Sequence, residues 1–205
     1  AANGVNTVPA FTAFNAGASP VSGTVTITPI YLNGGVSCPG PLSDYILTVN
    51  PTPTVADPVD QVVCNNSATQ QVVFSGTGTT YTWTNTTTSV GLGAGGIGNI
   101  VAFNALNGNT VPVTANINVT AQYTGGNITC AGQQQAFNIT VNPTPTVIDP
   151  ADQVICNTAS SAQVVLSGTG TSYTWSNSTP SIGLAANGNT TIPVFTGQNS
   201  GSTPD

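Results

Sequence analysis

The sequence predicts an all-β protein made of tandem β-sandwich domains, with about seven strands in each 92-residue repeat. Three observations carry that expectation. A near-gapless repetition runs through the chain, apolar residues alternate at period two, and no segment shows a helical period.

The repetition is read directly. Val49-Asn50-Pro51-Thr52-Pro53-Thr54-Val55 returns 92 residues later as Val141-Asn142-Pro143-Thr144-Pro145-Thr146-Val147. Cys38 and Cys130, Cys64 and Cys156, and Trp83 and Trp175 keep the same offset, as do Phe11, Phe103 and Phe195. Such a period exceeds the ~20–50 residues of a solenoid coil and suits one sandwich of about 100 residues. With Asn-Pro-Thr-Pro as the boundary, residues 51–142 form one complete repeat. Residues 1–50 are then the C-terminal part of a preceding repeat, and 143–205 the N-terminal part of the next. Residues 1–21 and 185–205 cover the same phase, a redundancy that designed strand exchange between chains would not carry. The expectation is a window on a longer, continuing polypeptide. No signal-peptide pattern is visible, which fits a mature or excised segment.

Within the complete repeat, Val113, Ala115, Ile117, Val119 and Ala121 alternate with Thr114, Asn116, Asn118 and Thr120. Successive side chains of a strand face opposite ways, so one face is apolar and the other carries hydroxyls and amides. Phe137, Ile139 and Val141 repeat that pattern. Val72 with Phe74, and Tyr81 with Trp83, predict two strands joined through Ser75-Gly76-Thr77-Gly78. Ile100 with Phe103 predicts another, and Val62-Val63 a short edge strand. The density of Thr, Val, Gly and Asn disfavours helix. The predicted core is Val72, Phe74, Tyr81, Trp83, Leu92, Ile100, Phe103, Val113, Ile117, Val119, Tyr123, Phe137, Ile139 and Val141. Trp83 is read as a central packing residue, with sugar stacking as the sharper alternative.

Composition narrows the function classes. The chain has no Lys, Arg, His, Met or Glu, and its only charged side chains are six Asp. Without cations it cannot neutralise phosphates, so nucleic-acid binding is excluded, and so is polybasic contact with a membrane surface. No apolar run reaches the ~20 residues that span a bilayer, so no membrane insertion is expected. Hydrophobic residues make up 39% of the chain, too many and too evenly dispersed for disorder. Serine and threonine are abundant, but no His or Lys is present to activate them, so the chain is not expected to be an enzyme.

The run Val-Asn-Pro-Thr-Pro-Thr-Val, then Asp60-Gln61-Val62-Val63-Cys64-Asn65, then Phe74-Ser75-Gly76 with Tyr81-Thr82-Trp83-Thr84, resembles the immunoglobulin-like (PKD-like) repeats of large secreted bacterial surface proteins. Similar repeats occur in long adhesins of gliding bacteria, often exported by the type IX route. The resemblance covers the whole chain. The Trp-x-Phe-Gly-Asp-Gly signature of better-known PKD domains is absent after Trp83, where the chain reads Thr84-Asn85-Thr86. It implies an extracellular or cell-surface location and a role as stalk, spacer or adhesive array.

Two phase-locked cysteines per extracellular repeat read as a disulfide framework, and Cys64–Cys130 within the complete repeat is the favoured pairing. A bridge to the neighbouring repeat is the alternative, should the two thiols fall at opposite ends of the sandwich. Lys–Asn isopeptide staples are impossible without Lys. The pair Asp57 and Asp60 returns as Asp149 and Asp152. Beside proline these residues read as turn formers, with Ca²⁺ at the domain junctions as the sharper reading. No other cofactor is expected. The expected partners are neighbouring repeats and other copies of the chain. A surface of hydroxyls and amides with little charge repulsion favours that self-association. The expected function is a structural module of a long surface protein or filament. The alternatives are a glycan-binding adhesin using Tyr31 and Tyr123, and an accessory domain of a secreted hydrolase.

Overall fold

The computed structural model describes residues 7–201. It is nearly all-β. Among the described residues there is no α-helix, only two 3-10 turns at Thr88–Val90 and Pro180–Ile182. The chain divides into two compact bodies, one running to Asn107 and including Val113–Asn142, the other comprising Gly108–Pro112 and the chain from Pro143 onward.

The first body opens with a long hairpin. Strand β1 (Val21–Ile27) pairs antiparallel with β4 (Ser43–Val49), and β2 (Ile30–Asn33) pairs with β3 (Val36–Pro39). Gly34 and Gly35 both have positive φ, as the two central residues of a tight hairpin turn require. Next comes a five-stranded sheet built from β5 (Gln61–Cys64), β6 (Thr80–Asn85), β7 (Gly95–Ile97), β8 (Val113–Gly125) and β9 (Ile128–Asn142). Its order is β5-β9-β8-β6-β7, with β5 parallel to β9 and the other neighbours antiparallel. The β8–β9 turn places Gly126 and Asn127 at positive φ, the same device as in the first hairpin.

The alternation read in β8 and β9 becomes burial. Ala115, Ile117, Val119 and Ala121 of β8 and Phe137, Ile139 and Val141 of β9 are buried. They join Val55, Val72, Phe74, Val90, Leu92, Ile100 and Ala105 in one core. Phe74 meets Phe137 edge-on, with ring centroids 6.3 Å apart. Tyr81, Trp83, Phe103 and Val113 are partly buried against that core, whereas Tyr123 stays outside it. The opposite face carries a polar ladder, with Thr114 and Thr140 hydroxyls 2.9 Å apart and the Asn116 amide donating to Asn138.

The layer facing the sheet differs from the sequence reading. Val72 and Ile100 are joined only by an isolated bridge, as are Val55 with Gly76 and Ala68 with Asn104. Side chains finish these links. The Asn99 carbonyl accepts the Phe74 N–H, and the Thr69 hydroxyl accepts that of Phe103. Asn85, buried at the end of β6, donates to the Leu92 and Gly93 carbonyls while its own Oδ1 accepts the Thr87 N–H. Replacing it strands those groups in the interior. Asn85→Ala is expected to lower stability by about 2 kcal/mol, measured by urea denaturation.

The second body contains β10 (Val164–Val165) paired with β13 (Thr191–Ile192), and β11 (Thr174–Ser176) paired with β12 (Asn187–Asn189). Its pairings match those of the first body at a constant offset. Trp175↔Gly188 answers Trp83↔Gly96, Val164↔Ile192 answers Val72↔Ile100, and Val147↔Gly168 answers Val55↔Gly76. Asn177 donates to Leu184 as Asn85 does to Leu92.

Candidate interaction surface

The hairpin β1–β4 leaves its apolar side chains in solvent. Its register equals that of β8–β9 at every shared position: Val25↔Tyr45 corresponds to Ile117↔Phe137, and Tyr31↔Cys38 to Tyr123↔Cys130. The environments are opposite. Tyr45 is 49% exposed where Phe137 is 2%, and Ile27 is 49% exposed where Val119 is 0%. Among the described residues, strands β1 and β4 pair only with each other, and the Asn15 side chain donates to the Val49 carbonyl at the end of β4.

The second body has the converse deficiency. It holds an apolar cavity of about 620 Å³ lined by Ile155, Val164, Ile182, Leu184, Ile192 and Phe195, with Asp149 and Asp152 also at its boundary. The matching residues of the first body are Val63, Val72, Val90, Leu92, Ile100 and Phe103, which touch or form the core beneath β8 and β9. Gln153–Cys156, in the phase of β5, forms no strand, and β11 is paired along one edge only.

The cysteines require a correction. Cys64 lies opposite Asn142 at the end of β9, whereas Cys130 lies opposite Tyr123, twelve residues back along that strand. At about 3.3 Å per residue the two are roughly 40 Å apart, far beyond the ~7 Å between Cα atoms that a disulfide tolerates. The Cys64–Cys130 bond therefore does not form, and all four cysteines are free thiols. Sequence spacing could not show this, because both residues flank strands without revealing which end of the sheet each occupies. The urea midpoint of the chain is expected to be the same with and without dithiothreitol.

Asp57, Asp60, Asp149 and Asp152 are exposed, and among the described residues no three metal-ligating side chains of the His, Cys, Asp or Glu type converge. Asp60 has a structural role, its Oδ1 accepting the Asn138 N–H at 2.6 Å and so fastening the start of β5 to β9. Trp83 lies with its ring over Gly96, and Trp175 repeats this over Gly188. Tyr31 is exposed and Tyr123 half-buried beside the β8–β9 turn. Among the described residues no helix is long and apolar enough to cross a membrane. No protein-family model matches this chain, and no curated protein matches it.

Proposed function

We propose that this chain is a non-enzymatic structural segment of a long extracellular surface protein or filament, built from tandem immunoglobulin-like sandwich repeats of 92 residues. The observation that carries this reading is the constant offset between the two bodies, which extends from sequence to bridges, strand registers and side-chain hydrogen bonds. A feature present in every copy is a property of the module, so no copy holds private chemistry. The surface supports a structural role. It carries hydroxyl pairs, such as Ser22 with Thr48 and Thr124 with Thr129, whose bonding does not depend on salt as ion pairs do. The absence of Lys and Arg also removes every tryptic cleavage site.

The boundary fits a spacer. Pro51 and Pro53 are fully buried, and the Asn50 side chain donates to the Gly125 carbonyl, so the segment entering the repeat is anchored at the β8–β9 turn. Tyr31 and Tyr123 do not line the cavity of the second body. That favours the structural reading over a glycan-binding one, because sugar sites are concave. Antibodies raised against residues 51–142 are expected to decorate thin fibres on intact, unpermeabilised source cells in immunogold electron microscopy. Labelling confined to the cell interior would sink the reading.

A further inference from the structure

The two cysteines of a repeat stand at its opposite ends, and the boundary at Asn50 shows what each end meets. At the exit, Cys64 is the register partner of Asn142 in the parallel pair β5–β9, and the Asn65 N–H donates to the Asn142 carbonyl at 2.8 Å. Val63 and Val141, one residue earlier on each strand, turn inward to the core. Side chains alternate along a strand, so Cys64 and Asn142 share the outer face, about 4.8 Å apart at the backbone.

Asn50 is in phase with Asn142, one repeat earlier, and its side chain reaches into the repeat that follows. The amide donates to the Gly125 carbonyl at 2.8 Å and to the Ile128 carbonyl at 3.4 Å, both at the β8–β9 turn. Cys130 comes two residues after Ile128. Cys130 and Gly132 are half-buried, whereas Thr129, Ala131 and Gln133 are exposed, so the first two face the same way. The entering segment passes over that face, because a Cβ on Gly132 would run into the Pro53 carbonyl oxygen. The Cys130 thiol is thus turned toward the incoming boundary.

We infer that the cysteines pair across each repeat boundary, the thiol in the phase of Cys64 with the thiol in the phase of Cys130 of the following repeat. Both flank one asparagine: the first lies beside it in the ladder, and the second lies on the turn it caps. Their separation is on the order of 10 Å, against roughly 40 Å within a repeat. The tip of the β8–β9 hairpin, exposed at Gly126, Asn127 and Ile128, closes the few ångström that remain to the ~7 Å limit.

The bond forms by exchange with a small-molecule or protein disulfide. One thiolate attacks it, giving a mixed disulfide and releasing one thiol, and the second thiolate then displaces the other half as a second thiol. The two cysteines lose two protons and two electrons, and the oxidant gains both. Each boundary then carries a covalent bond beside the Asn50 contact, and tension along the array cannot peel one repeat from the next without breaking it.

The inference rests on the tandem reading above, and its test separates the two. The 205-residue chain holds no cysteine in the phase of Cys64 together with one in the phase of Cys130 a repeat later. A lengthened chain, residues 1–142 continued by residues 51–205, holds one such pair among six cysteines. Its added boundary reads Asn142-Pro51-Thr52-Pro53, as the native one reads Asn142-Pro143-Thr144-Pro145. Both chains are equilibrated in a glutathione redox buffer, alkylated and weighed by intact mass spectrometry. The lengthened chain is expected to lose two of its six free thiols, and the 205-residue chain none of its four. Cys64→Ser in the first copy is expected to leave all five remaining thiols free. The same change in the second copy is expected to keep the bridge and leave three. Six free thiols in the folded lengthened chain, an equal effect of the two substitutions, or thiols lost only into dimers would overturn the bridge while the tandem reading stands. An inserted copy that adds no folded unit, seen as an unchanged urea-unfolding amplitude, would bring down the tandem reading and the bridge with it.

Discussion

Phe137→Ala is expected to destabilise the first body by about 3–5 kcal/mol, a large fraction of the 5–15 kcal/mol that holds a typical domain folded. The side chain is 2% exposed, meets Phe74 edge-on and sits opposite Ile117 in the strand pair that crosses the middle of the sheet. No neighbour can collapse into the gap, because Ile117, Ile139 and Val119 around it are themselves fully buried in regular strands. Urea denaturation followed by near-ultraviolet circular dichroism measures the loss. The informative comparison is Tyr45→Ala, the same position one repeat earlier. Tyr45 is half exposed, so in dilute, unassembled chains its loss is expected to cost under about 0.5 kcal/mol. A loss at Tyr45 comparable to that at Phe137 under dilute conditions would mean that the hairpin already has a covering partner within its own chain.

That comparison also shows what the sequence makes legible. Period-two alternation identified β8 and β9, because a strand with one buried face must alternate and a long one does so unmistakably. The same pattern marked Ala115 and Ala121 as inward, although their small side chains left them off the expected core. Val90 and Val55 were missed for a different reason. Each belongs to a turn or an isolated bridge, where burial depends on distant partners such as Gly76 and no local period exists to read. The expected strand at Val72–Phe74 reduces to a single bridge because Thr69 and Asn99 side chains take over bonds that a ladder would make. Strand β7 was also invisible. Gly95 and Gly96 look like turn residues, yet they form an edge strand because the Trp83 ring needs the space a side chain would fill.

The interaction surface was legible only in part. The repeat shows that the two terminal segments are complementary in phase. It cannot show that the hairpin folds by itself in the register of β8–β9, or that the cavity stays open with both edges unpaired. Those facts depend on which backbone bonds close without a partner. Cys64 and Cys130 illustrate the limit from the other side. Their equal phase-locking suggested a bond, and only the strand register, which sets them at opposite ends of β9, excludes it.

Gly132→Ala and Gly76→Ala are expected to be the most damaging single-methyl additions in the complete repeat, at about 3 kcal/mol or more each. The boundary segment Pro53-Thr54 runs between these two glycines. A Cβ at Gly132 would lie 1.9 Å from the Pro53 oxygen, and one at Gly76 would lie 2.1 Å from the Thr54 oxygen. Both obstacles are backbone, which cannot rotate aside as a side chain does, and overpacking of this kind costs about 1–3 kcal/mol even where the surroundings yield. Gly76 adds conformational strain, since its φ of 142° is one that side-chain-bearing residues rarely adopt. The segment has no cheap alternative path. Pro53 within it and Pro51 just before it are fully buried, and the Thr54 N–H is held by the Thr77 hydroxyl. A loss of about 3 kcal/mol corresponds to a fall of roughly 12–24 °C in Tm for a domain of this size. Gly98→Ala is the control. Its φ is also positive, but nothing lies within 4 Å of the added carbon, so it isolates the strain from the clash and is expected to cost only about 1 kcal/mol. Thermal unfolding of the three variants, with proteinase K cleavage near Pro53 as a second readout, separates the two causes. If Gly132→Ala melts no lower than Gly98→Ala, the boundary segment is not seated between the glycines, and the anchoring of each repeat at its entry is lost with it.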